Sequence, residues 1–208
     1  MPKTKETCDQ MKEDRRRSIL KSSLRLFAVR GYDAVRMDDI AKRCECSHGL
    51  LYHYYKDKED IFHDLMNYLH SDVYRFNLLI HEENVSAKEQ IIHMCDAIIN
   101  IINGEEDRFF SFYMFTNIDY QKTLPLPPLK DGKEKKHHKF FDDILKEIII
   151  QGQKEGTVYD EDPNELTLLF HSLMYGMLFD KLKSTKDKYC CPSSKAIQKI
   201  LLKPEGEY

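Results

Sequence analysis

Residues 37–58, MDDIAKRCECSHGLLYHYYKDK, read as two short helices set at an angle, with a third beginning behind them. In the first, from Asp38 to about Cys44, the residues Ile40, Ala41 and Cys44 share one apolar stripe. Ala41 is small enough to let a second helix approach closely. Cys46 places a small side chain in the turn, and Ser47 offers its hydroxyl as N-cap for a helix from His48 to about Tyr54. Leu51 and Tyr55, four apart, form the apolar back of that helix, and His48, Tyr52 and His53 are left outside. An apolar back and a polar, aromatic front one turn after another helix is the helix-turn-helix arrangement that enters a DNA major groove.

The candidate DNA contacts follow from this geometry. Tyr52, His53 and His48 offer hydrogen bonds to phosphates or base edges, and Gly49 lets the backbone approach closely. Ser47 and Leu50 border the same front, and Lys58 brings a charge to the start of the next helix. Upstream, Arg15, Arg16 and Arg17 make a basic cluster, of which Arg17 is the candidate arm contact to the backbone or the flanking minor groove. A solvated helix start is the equal alternative for that cluster.

From Arg17 to about Leu65 the chain resembles the N-terminal domain of the TetR family of bacterial transcriptional regulators. The residues that carry the resemblance are Ile19 and Leu20, Leu26-Phe27, Gly31-Tyr32, Asp39-Ile40-Ala41, Ser47, Gly49, Leu51-Tyr52, Tyr54 or Tyr55, and Lys58-Glu59. Three positions depart from the family pattern. Glu45 stands where a glycine is usual, so a residue with a side chain is expected in a left-handed conformation at about 1 kcal/mol. Val35 and Arg36 replace small hydroxyl residues, which removes a cap and adds a guanidinium able to reach a phosphate from the same place.

The resemblance implies an all-α protein of two domains. Residues 1–57 would form the helix-turn-helix domain and residues 58–208 a larger helical domain for ligand binding and dimerisation; the polar, mixed-charge residues 1–12 read as a disordered arm or the fraying start of a helix. It further implies a homodimeric, sequence-specific regulator, a repressor released from a palindromic operator by a small hydrophobic or aromatic ligand. The expected partners are double-stranded operator DNA, a second copy of the chain and a small-molecule effector. A ligand-binding helical protein whose helix-turn-helix no longer reads sequence is the alternative, suggested by Glu45 and Arg36.

Composition agrees with that division. The 208 residues are 41% hydrophobic, enough for a core, and their net charge of −3 is uneven. Residues 1–60 hold 14 Lys/Arg against 11 Asp/Glu, and the remainder holds 18 against 24. A basic end on an acidic body suits a protein that presents one face to phosphates. The longest apolar runs are too short to span a bilayer and the N-terminus lacks a signal-peptide core, so a cytoplasmic address without membrane contact is expected. The six cysteines, Cys8, Cys44, Cys46, Cys95, Cys190 and Cys191, are then expected as free thiols. Cys44-x-Cys46 is too close for a C-x2-C zinc knuckle, and the vicinal Cys190-Cys191 either packs at a loop or responds to a thiophilic metal or an oxidant.

Taken in order, a helix from about Glu13 to Arg30 buries Leu20, Leu24 and Phe27 and stops at Gly31. A long helix after Lys58 carries Ile61, Phe62, Leu65, Met66, Leu69, Val73 and Phe76 on one side. Ser86-x-x-Glu89 is a capping box for a helix whose all-round apolarity suggests burial, and an aromatic helix follows from about Glu106 to Asp119. Met94, Phe109, Phe112, Tyr113, Phe170, His171, Met174 and Tyr175 are the candidate lining of the ligand cavity that the resemblance implies. Residues 121–132 read as a non-helical connection with Pro125, Pro127 and Pro128, and His137-His138 as an exposed helix start. The helix opened by Asp162-Pro163 carries more apolar surface than one internal face needs, which points to a dimer, and the resemblance implies an interface built from the last two long helices of each subunit. Leu166, Leu173, Gly176 and Met177, with Ile197, Ile200 and Leu201 of a short final helix, are the candidate interface.

No catalytic motif, cofactor motif or metal-ligand set stands out, so neither an enzyme nor a cofactor is expected. One arrangement keeps an enzyme in view: His93 and Asp96, three apart on one helix, and His171 on another, meeting in the core.

Overall fold

A computed structural model describes residues 5–80, 84–117, 141–184, 189–204 and 206. The expected connection at 121–132, its prolines and His137-His138 lie outside the described residues. The described elements are all helical: α1 (Lys5–Arg30), α2 (Met37–Arg43), α3 (His48–Tyr54), α4 (Lys58–Ile80), α5 (Ala87–Asn103), α6 (Glu106–Asn117), α7 (Phe141–Lys154), α8 (Pro163–Lys183) and α9 (Ser194–Gln198). Packing divides the chain into two compact units, Met1–His70 with Phe110–Lys130, and Ser71–Phe109 with Asp131–Tyr208.

This division differs from the expected boundary at 57/58. The first three turns of α4 belong to the first unit because Ile61, Phe62, Leu65, Met66 and Leu69 are all buried. Phe62 closes a ring cluster with Phe27 and Tyr32, whose centroids lie 5.6 and 4.8 Å from its own. Of the stretch expected as a disordered arm or a fraying helix start, residues 5–12 are the first turns of α1, which begins at Lys5. Residues 5–12 contain no Pro or Gly and are mostly good helix formers, so a helix nucleated on the buried Ile19, Leu24 and Phe27 extends outward as exposed turns. Gln10 donates to Asp14 at 3.0 Å along that extension.

The end of α1 behaves as its sequence requires. Gly31 sits at φ 78 and its N–H reaches the Phe27 carbonyl at 2.9 Å, the left-handed termination that glycine permits. Ser23 is buried and donates to the Ile19 carbonyl at 2.8 Å, which satisfies its hydroxyl inside the helix.

In the second unit α5 packs against α7 and α9, and α7 packs against α8. The helix expected to be apolar all round is one-sided: Ile91, Met94, Cys95, Ile98 and Ile102 are buried, while His93, Asp96 and Asn100 are exposed. Ser86 caps α5 as its spacing predicts, accepting from the Glu89 N–H at 3.3 Å. Glu155 from the end of α7 accepts from the Ala87 N–H at 2.9 Å, placing a carboxylate on the positive end of α5. Gln90 and Gln151 both donate to the Val85 carbonyl, at 2.9 and 3.0 Å. Gly152 lies at the tightest point, where a Cβ would collide with the Val158 side chain. An antiparallel bridge, Val158 to Leu202, ties down the segment after α9.

Candidate nucleic-acid interface

The turn between α2 and α3 sets the site. α2 ends at Cys44, whose N–H reaches the Ile40 carbonyl at 2.9 Å. Glu45 then takes φ 52, the left-handed conformation expected for it. The reversal brings the Cys46 N–H to the Ala41 carbonyl at 3.0 Å, and Ser47 opens α3 with its Oγ accepting from the Leu50 N–H at 3.2 Å. Leu51 and Tyr55 are fully buried, as their spacing predicts. With that face fixed, Tyr52 stands 47% exposed on the opposite side, and His48, Gly49 and His53 are exposed with it.

Local contacts hold this front in place. His48 Nε2 lies 2.7 Å from Asp38 Oδ1, joining the starts of α2 and α3, and its ring meets Tyr52 edge-on at 4.8 Å. His53 stands edge-on to Tyr54 at 5.4 Å. Nothing lies within 4 Å of a Cβ built on Gly49, so the backbone there is open. Leu50 is half-buried at the margin.

Behind the front, one network joins three elements far apart in sequence. Tyr55, just after α3, donates to Asp64 Oδ2 of α4 at 2.7 Å, and Arg16 of α1 donates to the same oxygen at 2.7 Å. The Arg16 guanidinium also lies 5.2 Å from the centre of the Tyr55 ring. Burial first, then the hydrogen bond to Asp64, pushes the Tyr55 hydroxyl well above the ordinary tyrosine range. The bond to Asp64 likewise holds Arg16 firmly charged. Arg16 is therefore turned to the fold, while Arg17 beside it is exposed.

Lys58 and Arg36 are placed differently from one another. Lys58, expected to offer its charge to a phosphate, donates to the Tyr32 carbonyl at 2.8 Å and lies 4.2 Å from the Tyr32 ring centre. It is half-buried as a clamp on the loop between α1 and α2, because that loop passes beside the start of α4. Arg36 is exposed at the start of α2, and its N–H is bound by Asp39 at 2.9 Å. That N–H, followed by Arg30 at 3.1 Å, holds the Asp39 carboxyl below its ordinary range. Sequence reasoning missed Asp64 and the inward role of Arg16, since neither spacing nor charge pattern links residues 48 apart.

The effector and interface candidates fall elsewhere. Met94, Phe109, Phe170 and Met174 are buried in the second unit, and His171 and Tyr175 stack there at 4.5 Å. Phe112 and Tyr113 belong to the part of α6 grouped with the first unit. His171 Nδ1 lies 3.1 Å from Asp142 Oδ1, and with His93 and Asp96 exposed the expected meeting of the three in the core does not occur. Of the interface candidates, Leu166, Met177, Ile197 and Leu201 are buried within the chain itself, whereas Leu173 and Ile200 are half-buried and Gly176 is exposed. The apolar side chains that α8 leaves outside are Leu168, Leu169 and Phe179, at 65, 58 and 49% exposure. Within the chain α7 packs against α8, and α9 packs against α5.

Among the described residues no helix is long and apolar enough to cross a membrane, and no group of three or more His, Cys, Asp or Glu is placed to hold a metal ion.

Residues 19–65 match the family model described as bacterial regulatory proteins, tetR family. The chain is 34% identical over 62 residues to the uncharacterized HTH-type transcriptional regulator YuxN of Bacillus subtilis (strain 168), covering 30% of this chain and 21% of that protein. It is 30% identical over 112 residues to the HTH-type transcriptional regulator HbdR of Aromatoleum sp. (strain CIB), covering 53 and 48%. The matches thus span less than two thirds of these relatives' own length. Among solved structures, AibR in complex with isovaleryl coenzyme A and operator DNA aligns with a TM-score of 0.62 at 22% identity, over 89% of this chain and 94% of that one.

Proposed function

We propose that this chain, a member of the tetR family of bacterial regulatory proteins through its N-terminal domain, is a homodimeric transcriptional regulator that binds a palindromic operator and represses. The observation that carries the reading is the front of α3. Tyr52, His48, Gly49 and His53 stand outside a helix whose other face, Leu51 and Tyr55, is locked into the first unit. A short helix fixed from behind and open in front is what base-edge reading requires. Arg17 and Arg36 add exposed cations suited to phosphates, and Ser47 holds the helix start.

Dimerisation is supported by Leu168, Leu169 and Phe179, which share one side of α8 with Ser172 and the open Gly176. Two copies of such a face, related by a two-fold axis, would bury each other and carry two α3 fronts to successive major grooves about 34 Å apart. The effector in this reading is a small hydrophobic or aromatic molecule held in the second unit near the stacked His171 and Tyr175. If it favours a dimer of the wrong head spacing roughly 100-fold, the coupling is about 2.7 kcal/mol, enough to release an operator held near threshold. α4 is continuous from the first unit into the second and is the element suited to carry that change.

Selection of bound sequences from a random duplex pool tests the reading directly. A palindromic site should emerge, and Tyr52→Ala should bind it at least ~10-fold more weakly, with little change in affinity for unrelated duplex. Binding that falls with salt and prefers no site would instead mean that the helix-turn-helix no longer reads sequence.

A further inference from the structure

The turn that aims α3 contains two thiols in contact. Cys44 Sγ and Cys46 Sγ lie 3.0 Å apart, with Cys44 buried at the end of α2 and Cys46 partly open to solvent just before the Ser47 cap. A disulfide needs ~2.0 Å, so the two sulfurs are about 1 Å from bonding distance. Cys44 Sγ also lies 3.6 Å from the Ala41 carbonyl, and between the two sulfurs either thiol can be the donor. Glu45 at φ 52 holds the chain reversed between them, so the pair is set by the turn itself rather than by a chance approach of mobile loops.

We propose that Cys44 and Cys46 are an oxidative modification site, forming a reversible disulfide with a hydroperoxide, and that the bond weakens operator binding by displacing the start of α3. The second half rests on the DNA-reading function above. The step balances with peroxide as the oxidant. The more exposed Cys46 attacks as thiolate on a peroxide oxygen, the O–O bond breaks, and the leaving oxygen takes up the released proton as water or alcohol. The Cys46 sulfenic acid then condenses with the Cys44 thiol, losing a second water as the S–S bond forms. Two electrons pass from the sulfurs to the peroxide. Burial first, then the hydrogen bond to Cys46, pushes the Cys44 thiol up to about 12, which suits it as the resolving partner rather than the first nucleophile.

The consequence for α3 is mechanical. Cys46 adjoins Ser47, whose Oγ holds the Leu50 N–H, and its own N–H is tied to Ala41. Drawing Cys46 toward Cys44 by about 1 Å therefore shifts the cap on which Tyr52 and Gly49 depend.

Peptide mapping tests the chemistry without any variant, because trypsin cleaves after Arg43 and Lys56 and leaves both cysteines in one fragment. After treatment with hydrogen peroxide the fragment 44–56 of the full chain should be lighter by two hydrogens and resist alkylation until dithiothreitol is added. The treated protein should bind its selected duplex at least tenfold more weakly, with recovery on reduction, and Cys46→Ser should be insensitive to the same treatment. Recovery of the fragment with both thiols alkylated overturns the site. A disulfide that changes affinity less than twofold, or an equal loss of binding in Cys46→Ser, overturns its role. A reduced protein that selects no duplex at all removes the regulator reading instead, and the fragment mass still decides whether the disulfide forms.

Discussion

The fronts of α3 and α8 are both rows of large side chains left outside a folded unit, and their chemistry separates them. α3 is seven residues long and shows Tyr52, His48 and His53, each able to hydrogen-bond, around an open glycine. α8 is 21 residues long and shows Leu168, Leu169 and Phe179, which offer only apolar area. The first suits a polar partner whose pattern must be read. The second suits a partner that excludes water over a broad surface, and a second copy of the same helix meets that need. In both cases the exposed side is meaningful because the opposite side is locked, by Leu51 and Tyr55 in α3 and by Leu166, Phe170, Met174 and Met177 in α8.

The largest effect expected of any single change lies on the α8 front. Leu169→Glu places a carboxylate in the proposed interface twice, once from each subunit, and an anchor of this kind is commonly worth ~2–4 kcal/mol. Sedimentation should show a monomer at concentrations where the unaltered protein is a dimer, and operator affinity should fall with it. Thermal stability of the monomer should be unchanged, because Leu169 is exposed in the chain itself. A dimer that survives the change would break the comparison and return the interface to another face.

Both fronts were only partly legible in the sequence, and for different reasons. Across α3 the turn chemistry is local: Ser47 as cap, Glu45 in place of glycine and the four-residue spacing of Leu51 and Tyr55 all act within a few positions, so its boundaries and its inward face follow from the chain alone. In α8 apolar residues occur on every side, at 166, 168, 169, 170, 173, 174, 177 and 178, and periodicity does not say which side a neighbouring helix takes. The contacts of α7 decide it, and they turn Leu166 and Met177 inward. The same non-local logic hid the clamp made by Lys58 and the pairing of Arg16 with Asp64.

That pairing gives the intermediate prediction, which asks how firmly the α3 front is fixed from behind. Tyr55→Phe keeps the ring but removes the hydroxyl that Asp64 binds, so it should cost about 1–2 kcal/mol of stability. It should also change the response to alkali. A hydroxyl whose folded value is raised above the ordinary 10.0 stabilises the fold fully below that pH and loses the contribution as pH rises above it. Denaturation midpoints measured from pH 8 to 11 should therefore fall less steeply in Tyr55→Phe, with Tyr32, Tyr113, Tyr175 and Tyr189, whose hydroxyls burial also raises, supplying the remaining slope. An unchanged slope would mean that the network does not hold α3, and that the front is fixed by Leu51 alone.

The smallest effect concerns the turn that joins the two helices of the reading head. Glu45 combines two costs that one substitution confounds: a side chain at φ 52, and an exposed carboxylate next to the helix proposed to enter the DNA groove. Glu45→Gln removes only the charge, and Glu45→Gly removes both charge and strain. Gly should therefore exceed Gln in stability by up to about 1 kcal/mol, the difference isolating the left-handed backbone. Both variants should bind operator somewhat more tightly at low salt, and to a similar degree, because repulsion between a carboxylate and phosphates is screened as salt rises. If Gly alone weakened binding, the strain at Glu45 would be part of how α3 is aimed. The head would then depend on a locally unfavourable residue, whereas the α8 front depends only on exposed apolar area.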